Sequence, residues 1–264
     1  MNQIGYMDPT EEMNKRWLKL IQSKVPTVDL VDISAEVFPY KSHKRQFAPE
    51  YSYSSYLTML EQEYAIGDYL SNPNCSLNIS VFARQQMVML IEEFNNLKEY
   101  KTDTLYLAVS LADRYLVNIA VKGEKAPCLI SLAVVCMLMA AKLEQPISPS
   151  FNRMILLLYE NHKIKLKKDN IINLEEKILR TLEFSVHHVS AVPFLERFLR
   201  IFGFDSGGKG SDAHQISSLA YKYCIFMQRA SHYLEFRPSQ IASAALLLAI
   251  NISVSTIATS LGIR

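Results

Sequence analysis

The chain has 264 residues, of which 49% are apolar and 20% are charged, and its formal net charge is +2. This balance excludes an intrinsically disordered chain and is typical of a globular protein with one large domain or two smaller ones. The small net charge gives no reason to expect nucleic acid as a partner. The N-terminus has neither the basic start nor the apolar core of a secretory signal.

The four cysteines include no Cys-x-x-Cys pair, which disfavours a structural zinc site or a disulfide framework. Cys128 and Cys136 fall in an apolar run, where cysteine behaves as a small buried side chain. His187 and His188 are adjacent and so point apart in a helix or a strand, which disfavours a shared metal. Since reduced thiols are typical of an intracellular protein, we expect the protein in the nucleus, the cytoplasm or both. The cysteine and histidine spacing gives no reason to expect a metal, and we expect no cofactor either.

The first predicted element is a short amphipathic helix that begins near Asp8. Asp8 suits the N-cap and Pro9 the first helical position. Trp17 lies on the apolar face of this helix, where it either packs inward or forms a docking face. Residues 24–50 show no sustained period, so residues 1–52 are predicted to be a leader containing that helix.

Aromatic and apolar residues then recur at helical spacing from Tyr53 to Tyr64, ahead of Asn72-Pro73-Asn74. This pattern predicts an amphipathic helix in front of a compact domain. Its tyrosines either pack against that domain or face a partner protein, and both interpretations are open on the pattern alone.

Five helices with short connections are predicted next. No sustained alternation of period two occurs, so we expect an all-α protein. The third helix, Cys128 to Ala141, is apolar all round but too short for a bilayer, which takes ~20 residues, so other helices must enclose it. The predicted starts are a Ser80 cap, a Thr102 cap before Leu105–Ile119, Pro127, Ser148-Pro149 and Asp169; the stripe of the first helix is Met87, Leu90, Ile91, Phe94 and Leu97.

Helical patterning resumes after a predicted linker, residues 184–193. The run from Pro238 to Ile250 has the same character as the helix after Pro127, with proline first and apolar residues throughout. Two central helices of one design indicate a tandem repeat of one helical unit. Because only fourteen residues follow Ile250, we expect the second copy to be truncated.

No catalytic constellation stands out. The chain has only eight glycines, no glycine-rich phosphate loop and no Gly-x-Ser-x-Gly motif. A binding module is therefore a stronger hypothesis than an enzyme.

Three charged residues lie in or beside apolar helices. Asp113 interrupts an apolar helix and needs a partner, because an unpaired buried charge costs several kcal/mol or more. Arg84, on the preceding helix, is the candidate for a structural ion pair. Lys142 ends the central helix, where the helix dipole favours a cation by ~0.3 to 1 kcal/mol.

Two local basic runs, residues 41–45 and 162–168, complete the charge pattern. A solvated surface is the simpler interpretation of each run. Contact with an acidic partner is the other.

Four segments carry a recognisable order of motifs: Arg84 to Leu97, Asp103 to Leu116, Leu132 to Glu144 with Ala-Ala-Lys-Leu-Glu, and Leu174 to Phe184. In order and spacing they resemble the first cyclin box, and the Pro-Ser-Gln-Ile-Ala-Ser-Ala-Ala run at 238–245 is similar to the third helix of the second box. The resemblance covers roughly residues 53–253. It implies an all-α protein with the cyclin-like five-helix box in tandem, the second copy truncated, and an additional N-terminal helix. The implied divisions are the leader at 1–52, the N-terminal helix plus the first box at 53–185, and the incomplete second box at 186–264.

The resemblance implies a non-catalytic regulatory subunit. Such a subunit binds and activates a cyclin-dependent serine/threonine kinase as a heterodimer, in cell-cycle or transcription-type phosphorylation, and can also meet kinase substrates or regulators. Neither a membrane nor nucleic acid is an expected partner. The alternative is a cyclin-fold scaffold or transcription-type adaptor that activates no kinase.

The resemblance also implies site residues. Lys142 and Glu175 correspond to the lysine and glutamate with which cyclins reach main-chain groups of the kinase around its movable helix. Arg84 and Asp113 correspond to the family's ion pair between the first and second helices. The remaining implied kinase contacts are Tyr53, Tyr56, Leu57, Leu143 and Phe184.

One segment departs from the family pattern. Many cell-cycle cyclins have Met-Arg-Ala-Ile-Leu in the first helix and a tryptophan one turn on, which form a groove for Arg-x-Leu substrates. This chain has Ala-Arg-Gln-Gln-Met at residues 83–87, and Leu90 in place of the tryptophan. The expectation of substrate docking at this groove is correspondingly weak.

Overall fold

A computed structural model describes residues 47–70, 77, 79–147, 149–204 and 211–260. The chain divides into two units, residues 1–50 and 51–264, and the described residues belong to the second unit except for 47–50, in the first turn of the first helix. The predicted helix near Asp8 with Trp17, the basic run 41–45 and Cys75 lie outside the described residues. No described residue is in a strand, and the all-α prediction is confirmed.

Within the described ranges the chain forms nine α-helices and one short 3-10 helix. Helices α2 to α6 contribute to a first hydrophobic cluster, and α7, α8 and α9 form a second one. The bounds are α1 Phe47–Glu63, α2 Val81–Leu97, α3 Thr102–Val121, α4 Leu129–Glu144, α5 Phe151–His162, α6 Lys168–Thr181, α7 Ala191–Ile201, α8 Asp212–Arg229, the 3-10 helix Ser231–Glu235 and α9 Pro238–Ser260.

Side-chain caps set some of these helix starts, and backbone geometry sets the others. The Ser80 hydroxyl accepts a hydrogen bond of 3.1 Å from the Ala83 N–H, so the predicted cap of α2 is confirmed. The predicted Thr102 cap is wrong, because α3 begins at Thr102 itself. The residue before it, Lys101, has extended backbone and makes no side-chain cap bond.

The starts of α4, α5 and α6 shift by a few residues from the predicted positions. Helix α4 begins two residues after Pro127, and α6 begins at Lys168 with Asp169 in its first turn. Helix α5 starts after Ser150, which has extended backbone and makes no side-chain cap bond. Such shifts are common because helix ends depend on backbone geometry that propensity does not specify.

Helices α1, α7 and α9 are longer than the sequence pattern predicts. Helix α1 includes Pro49, which lies in its first turn, where proline is tolerated. The linker after Phe184 ends at Ser190, whose hydroxyl accepts a 3.3 Å hydrogen bond from the Val192 N–H and caps α7. Helix α9 continues ten residues past Ile250.

Helix α4 lies at the centre of the first hydrophobic cluster, packed against α2, α3 and α6. Ten consecutive residues of α4, Leu132 to Ala141, are buried. Burying a side chain of Leu or Met size contributes ~1.5 to 3 kcal/mol, so this helix is a large part of the core. The prediction that other helices enclose it is confirmed.

Two sequence expectations about this core are wrong. Cys128 precedes α4 and is exposed, whereas Cys136 is buried and burial raises the pKa of its thiol. Leu97 is exposed because it is the last residue of α2, beyond the part that faces α3 and α4.

The second hydrophobic cluster is formed by α7, α8 and α9. Leu57 of α1 and Tyr106 of α3 also belong to it, while Leu234 of the 3-10 helix belongs to the first cluster. The two clusters therefore interlock.

One described helix, Thr102–Val121, is long and apolar enough to cross a membrane, but 67% of its apolar window is buried inside the fold, as in the core helix of a globular protein.

Candidate partner-binding face

A buried ion pair joins α2 to α3. The Arg84 Nε and Nη2 atoms donate to the two Asp113 carboxylate oxygens at 2.9 and 2.7 Å. The two side chains are 1% and 0% exposed. The Tyr69 hydroxyl donates a third hydrogen bond to Asp113, at 2.8 Å. Burial disfavours the charge on Arg84, but the Asp113 carboxylate outweighs it and raises the pKa of the guanidinium.

The same guanidinium connects the two hydrophobic clusters. Arg84 Nη1 donates to the main-chain oxygens of Gln228 and Ala230, at 3.0 and 3.3 Å. The Tyr233 ring lies 5.7 Å from Arg84 Cζ, within reach of a cation–π contact. The sequence spacing predicted the pair of Arg84 with Asp113. It did not predict the contacts with Gln228 and Ala230, which are 144 and 146 residues further along the chain.

Lys142 and Glu175 lie together on one exposed face. Lys142 is in the last turn of α4, and its Nζ donates to Glu175 Oε1 of α6 at 2.5 Å. The side chains are 44% and 24% exposed. An ion pair this exposed contributes ~0 to 1 kcal/mol, so a partner can open it at small cost. Opened, it offers an ammonium donor and a carboxylate acceptor side by side.

Two exposed apolar side chains lie on the segments that carry this pair: Leu143 follows Lys142 directly, and Phe184 follows the end of α6. Leu143 is 53% exposed and Phe184 is 66% exposed. Phe184 and the preceding Glu183 have left-handed backbone, with φ of 58° and 51°. This turn ends α6, and the Phe184 N–H donates to the Leu179 oxygen at 2.8 Å. Glycine is the usual residue in such a turn, so an exposed phenylalanine there is a candidate contact residue.

The three predicted contact residues of helix α1 differ in their exposure to solvent. Tyr53 and Tyr56 are exposed, but Leu57 is 4% exposed and packs in the second hydrophobic cluster. We therefore correct the assignment of Leu57, which is a core residue. Glu61, one turn further along the same inner face, is also buried. No described contact joins the α1 tyrosines to Lys142 or Glu175.

The segment of α2 that departs from the family pattern, from Ala83 to Leu90, borders a groove of about 760 Å³. Ala83, Gln86 and Leu90 line it together with Leu129 and Ile130 of the α4 start. At its rim the Glu93 carboxylate meets the His162 ring at 2.9 Å.

Among the described residues, no group of three or more His, Cys, Asp or Glu side chains could hold a metal ion.

Comparison with known families matches both repeats. The family model described as "Cyclin, N-terminal domain" matches residues 52–187, and the one described as "Cyclin, C-terminal domain" matches residues 189–261. The chain belongs to the cyclin family. As a cyclin, it has α2 to α6 in its first box, with the second box from α7 onwards.

Known cyclins are similar to this chain at moderate identity. A G2/mitotic-specific cyclin-B3 of Gallus gallus is 29% identical over 227 residues, which are 86% of this chain and 51% of that protein. A G2/mitotic-specific cyclin-B of Dictyostelium discoideum is 24% identical over 87% of this chain and 49% of that protein. Cyclin-A2-1 of Arabidopsis thaliana is 30% identical over 58% of this chain and 32% of that protein.

This cyclin spans about half the length of the chicken and Dictyostelium relatives. The X-ray structure of a viral cyclin from herpesvirus saimiri superposes with a TM-score of 0.58 and 17% identity, over 74% of this chain and 80% of the viral one. That likeness supports the cyclin fold.

Proposed function

We propose that this cyclin is a non-catalytic regulatory subunit that binds and activates a cyclin-dependent serine/threonine kinase. The observation that carries the proposal is the exposed Lys142–Glu175 pair, beside Leu143 and on the helix that leads to Phe184. We propose that the complex acts in the nucleus, the cytoplasm or both.

The geometry of the pair suits main-chain recognition. A lysine ammonium carries three N–H donors and a carboxylate accepts at two oxygens. Lys142 and Glu175 can therefore bind a carbonyl and an N–H of one partner segment at the same time. The exposed Leu143 and Phe184 side chains then supply apolar contact, as interface anchors commonly do.

Activation follows from holding a movable element in place. A protein kinase is active when a helix carries its glutamate to the catalytic lysine. A rigid surface that binds only that arrangement shifts the kinase population toward it. The helices α4 and α6 are suitable because α4 is buried along most of its length and α6 packs directly on it.

Exchange of the two charges tests this face. The double variant Lys142→Glu, Glu175→Lys keeps an ion pair between α4 and α6 but reverses donor and acceptor. We expect it to fold normally and to lose at least ~10-fold in affinity for purified cyclin-dependent kinases. Both binding and stimulated phosphorylation of a Ser-Pro peptide should be measured.

A second Lys–Glu pair offers a matched control. Lys177 of α6 and Glu124 form an ion pair of 2.7 Å with similar exposure. The exchange Lys177→Glu, Glu124→Lys should keep wild-type kinase binding. If the Lys142/Glu175 exchange also keeps it, the assigned face is wrong. Kinase binding without stimulation would instead indicate a scaffold or adaptor.

A further inference from the structure

The segment between α5 and α6 carries a row of exposed lysines. Residues 163–167 are neither helix nor strand, and Lys163, Lys165, Lys167 and Lys168 are all exposed. None of these four has a carboxylate oxygen within ion-pairing distance among the described residues. We name this segment, residues 163–168, the lysine edge.

Its side chains alternate between core and solvent. Ile164 and Leu166 pack against the first hydrophobic cluster, while Lys163, Lys165 and Lys167 are exposed. Alternation of this kind belongs to an extended strand, in which residues i and i+2 share a face about 6.6 Å apart. Lys165 and Lys167 thus present positive charge at the spacing of alternate residues in a second extended chain, while Lys163 has left-handed backbone and ends α5 just before this segment.

Aromatic rings hold these lysines along α5. The Lys163 and Lys165 ammonium groups lie 5.8 and 5.3 Å from the centre of the Tyr159 ring. Lys168 lies 5.9 Å from the centre of the Phe151 ring. Cation–π contacts restrict the lysines but leave N–H donors free for an anion.

The main chain of the lysine edge is also open. Within the described part of the protein, no hydrogen bond involves the N–H or C=O groups of Ile164, Lys165 or Leu166. An extended segment with free donors and acceptors is a template for an added strand. Its lysines repel a second copy of the same edge, since like charges opposite each other are destabilising.

We propose that the lysine edge binds an extended acidic peptide segment of another protein by strand addition. Alternate Asp or Glu side chains of the peptide face Lys165 and Lys167, and Lys163, whose ammonium lies over the same Tyr159 ring as that of Lys165, adds positive charge beside them. The peptide supplies both main-chain donors and main-chain acceptors, whereas the phosphate backbone of a nucleic acid supplies acceptors only. The open main chain of the edge therefore favours a peptide, and the proposal does not depend on kinase binding.

Charge reversal on the full 264-residue chain tests the electrostatic part. The probe is a fluorescein-labelled Glu-Val-Glu-Thr-Glu-Val-Glu peptide, followed by fluorescence anisotropy at low salt. We expect the double variant Lys165→Glu, Lys167→Glu to weaken binding at least ~10-fold. Lys125→Glu with Lys222→Glu is the control, because both lysines are exposed and the change in net charge is the same; it should stay within ~3-fold of wild type.

A glycine variant separates binding from folding. Lys163 has a left-handed φ of 59° at the end of α5, where glycine is favoured. Lys163→Gly should therefore keep or raise the Tm while it weakens peptide binding by ~2- to 3-fold. Unchanged peptide binding by this variant would remove Lys163 from the site.

Strand addition is tested on the peptide itself. The same peptide, N-methylated at alternate amides, keeps every carboxylate but loses main-chain donors, and we expect it to bind ~10-fold more weakly. Equal binding of the two peptides would overturn strand addition. Single-stranded oligothymidylate that binds as tightly as the peptide, and is equally sensitive to the lysine changes, would overturn the choice of a peptide. No binding of the unmodified peptide would overturn the whole proposal.

Discussion

His188 shows how burial of one side chain makes stability depend on pH. It is half-buried between α6 and α7, and its Nε2 has no hydrogen-bond partner among the described residues. Burial, followed by the charges of Arg114 and His187, lowers the pKa of His188 from 6.5 to about 4. The folded protein therefore holds this ring neutral at a pH where the unfolded chain protonates it.

The stability that depends on His188 is complete above about pH 6.5 and is lost as the pH falls toward 4, because only the unfolded state binds the proton in that window. Between about pH 7.5 and pH 5 we expect wild type to lose about 2 kcal/mol of unfolding free energy through this group. Urea unfolding should show that His188→Gln lacks this loss. His187→Gln, at the exposed neighbour, should keep it, and identical pH profiles for wild type and His188→Gln would refute the assignment.

Single residues also show how far sequence reasoning reaches. The pairing of Arg84 with Asp113 follows from one buried acid and one base on adjacent helices. The exposure of Cys128 does not follow, because the apolar run gives no sign that α4 begins one residue later. The same limit applies to Leu57, whose burial depends on where α1 docks.

Helix α9 receives its N-terminal cap from another element. The Ser239 N–H and hydroxyl donate to the two Glu61 carboxylate oxygens at 2.6 and 3.0 Å, so α1 caps α9 across 178 residues. The first N–H groups of any helix lack intrahelical acceptors, and a carboxylate at that end also suits the helix dipole. Glu61 therefore ties the N-terminal helix to the second box.

Glu61→Ala is expected to lower the free energy of unfolding by ~1 to 3 kcal/mol, because it removes a cap and leaves the partly buried donors of Ser239 unpaired. Urea unfolding measures the loss, and hydrogen exchange should be faster in the first turn of α9. Glu63→Ala, on the exposed side of α1, should change stability by less than ~0.5 kcal/mol. Equal stabilities for the two variants would exclude a capping role.

At the scale of the whole molecule, Arg84 holds the two boxes together. Its bonds to Asp113 lie within the first box, and its bonds to the Gln228 and Ala230 oxygens reach the second. A partly buried pair between Arg229 and Glu92, 2.6 Å apart, also joins the two boxes. With Tyr106 of α3 packed in the second cluster, the two boxes are expected to unfold together.

Asp113→Ala tests this coupling, because it leaves the Arg84 charge buried and without its carboxylate. We expect a loss of ~3 to 5 kcal/mol and one calorimetric transition at a lower Tm. Glu176→Ala, which breaks the exposed pair with Arg180, should leave the Tm within about 2 °C. Two separate transitions, with the upper one at the wild-type Tm, would show that the boxes unfold independently.

The amino-acid sequence by itself determined the local features of this cyclin. Apolar spacing within one or two turns specified the helices, the all-round apolar α4 specified the centre of the first box, and the order of motifs specified the family. These features depend on residues a few positions apart, where helical geometry leaves little choice.

Only the tertiary structure decided which side chains meet across long separations. It put Leu57 in the core and Tyr53 on the surface, joined Lys142 to Glu175, and left the main chain of the lysine edge open. The physical reason is that such contacts depend on how helices dock, through packing angles and loop paths that no local spacing encodes.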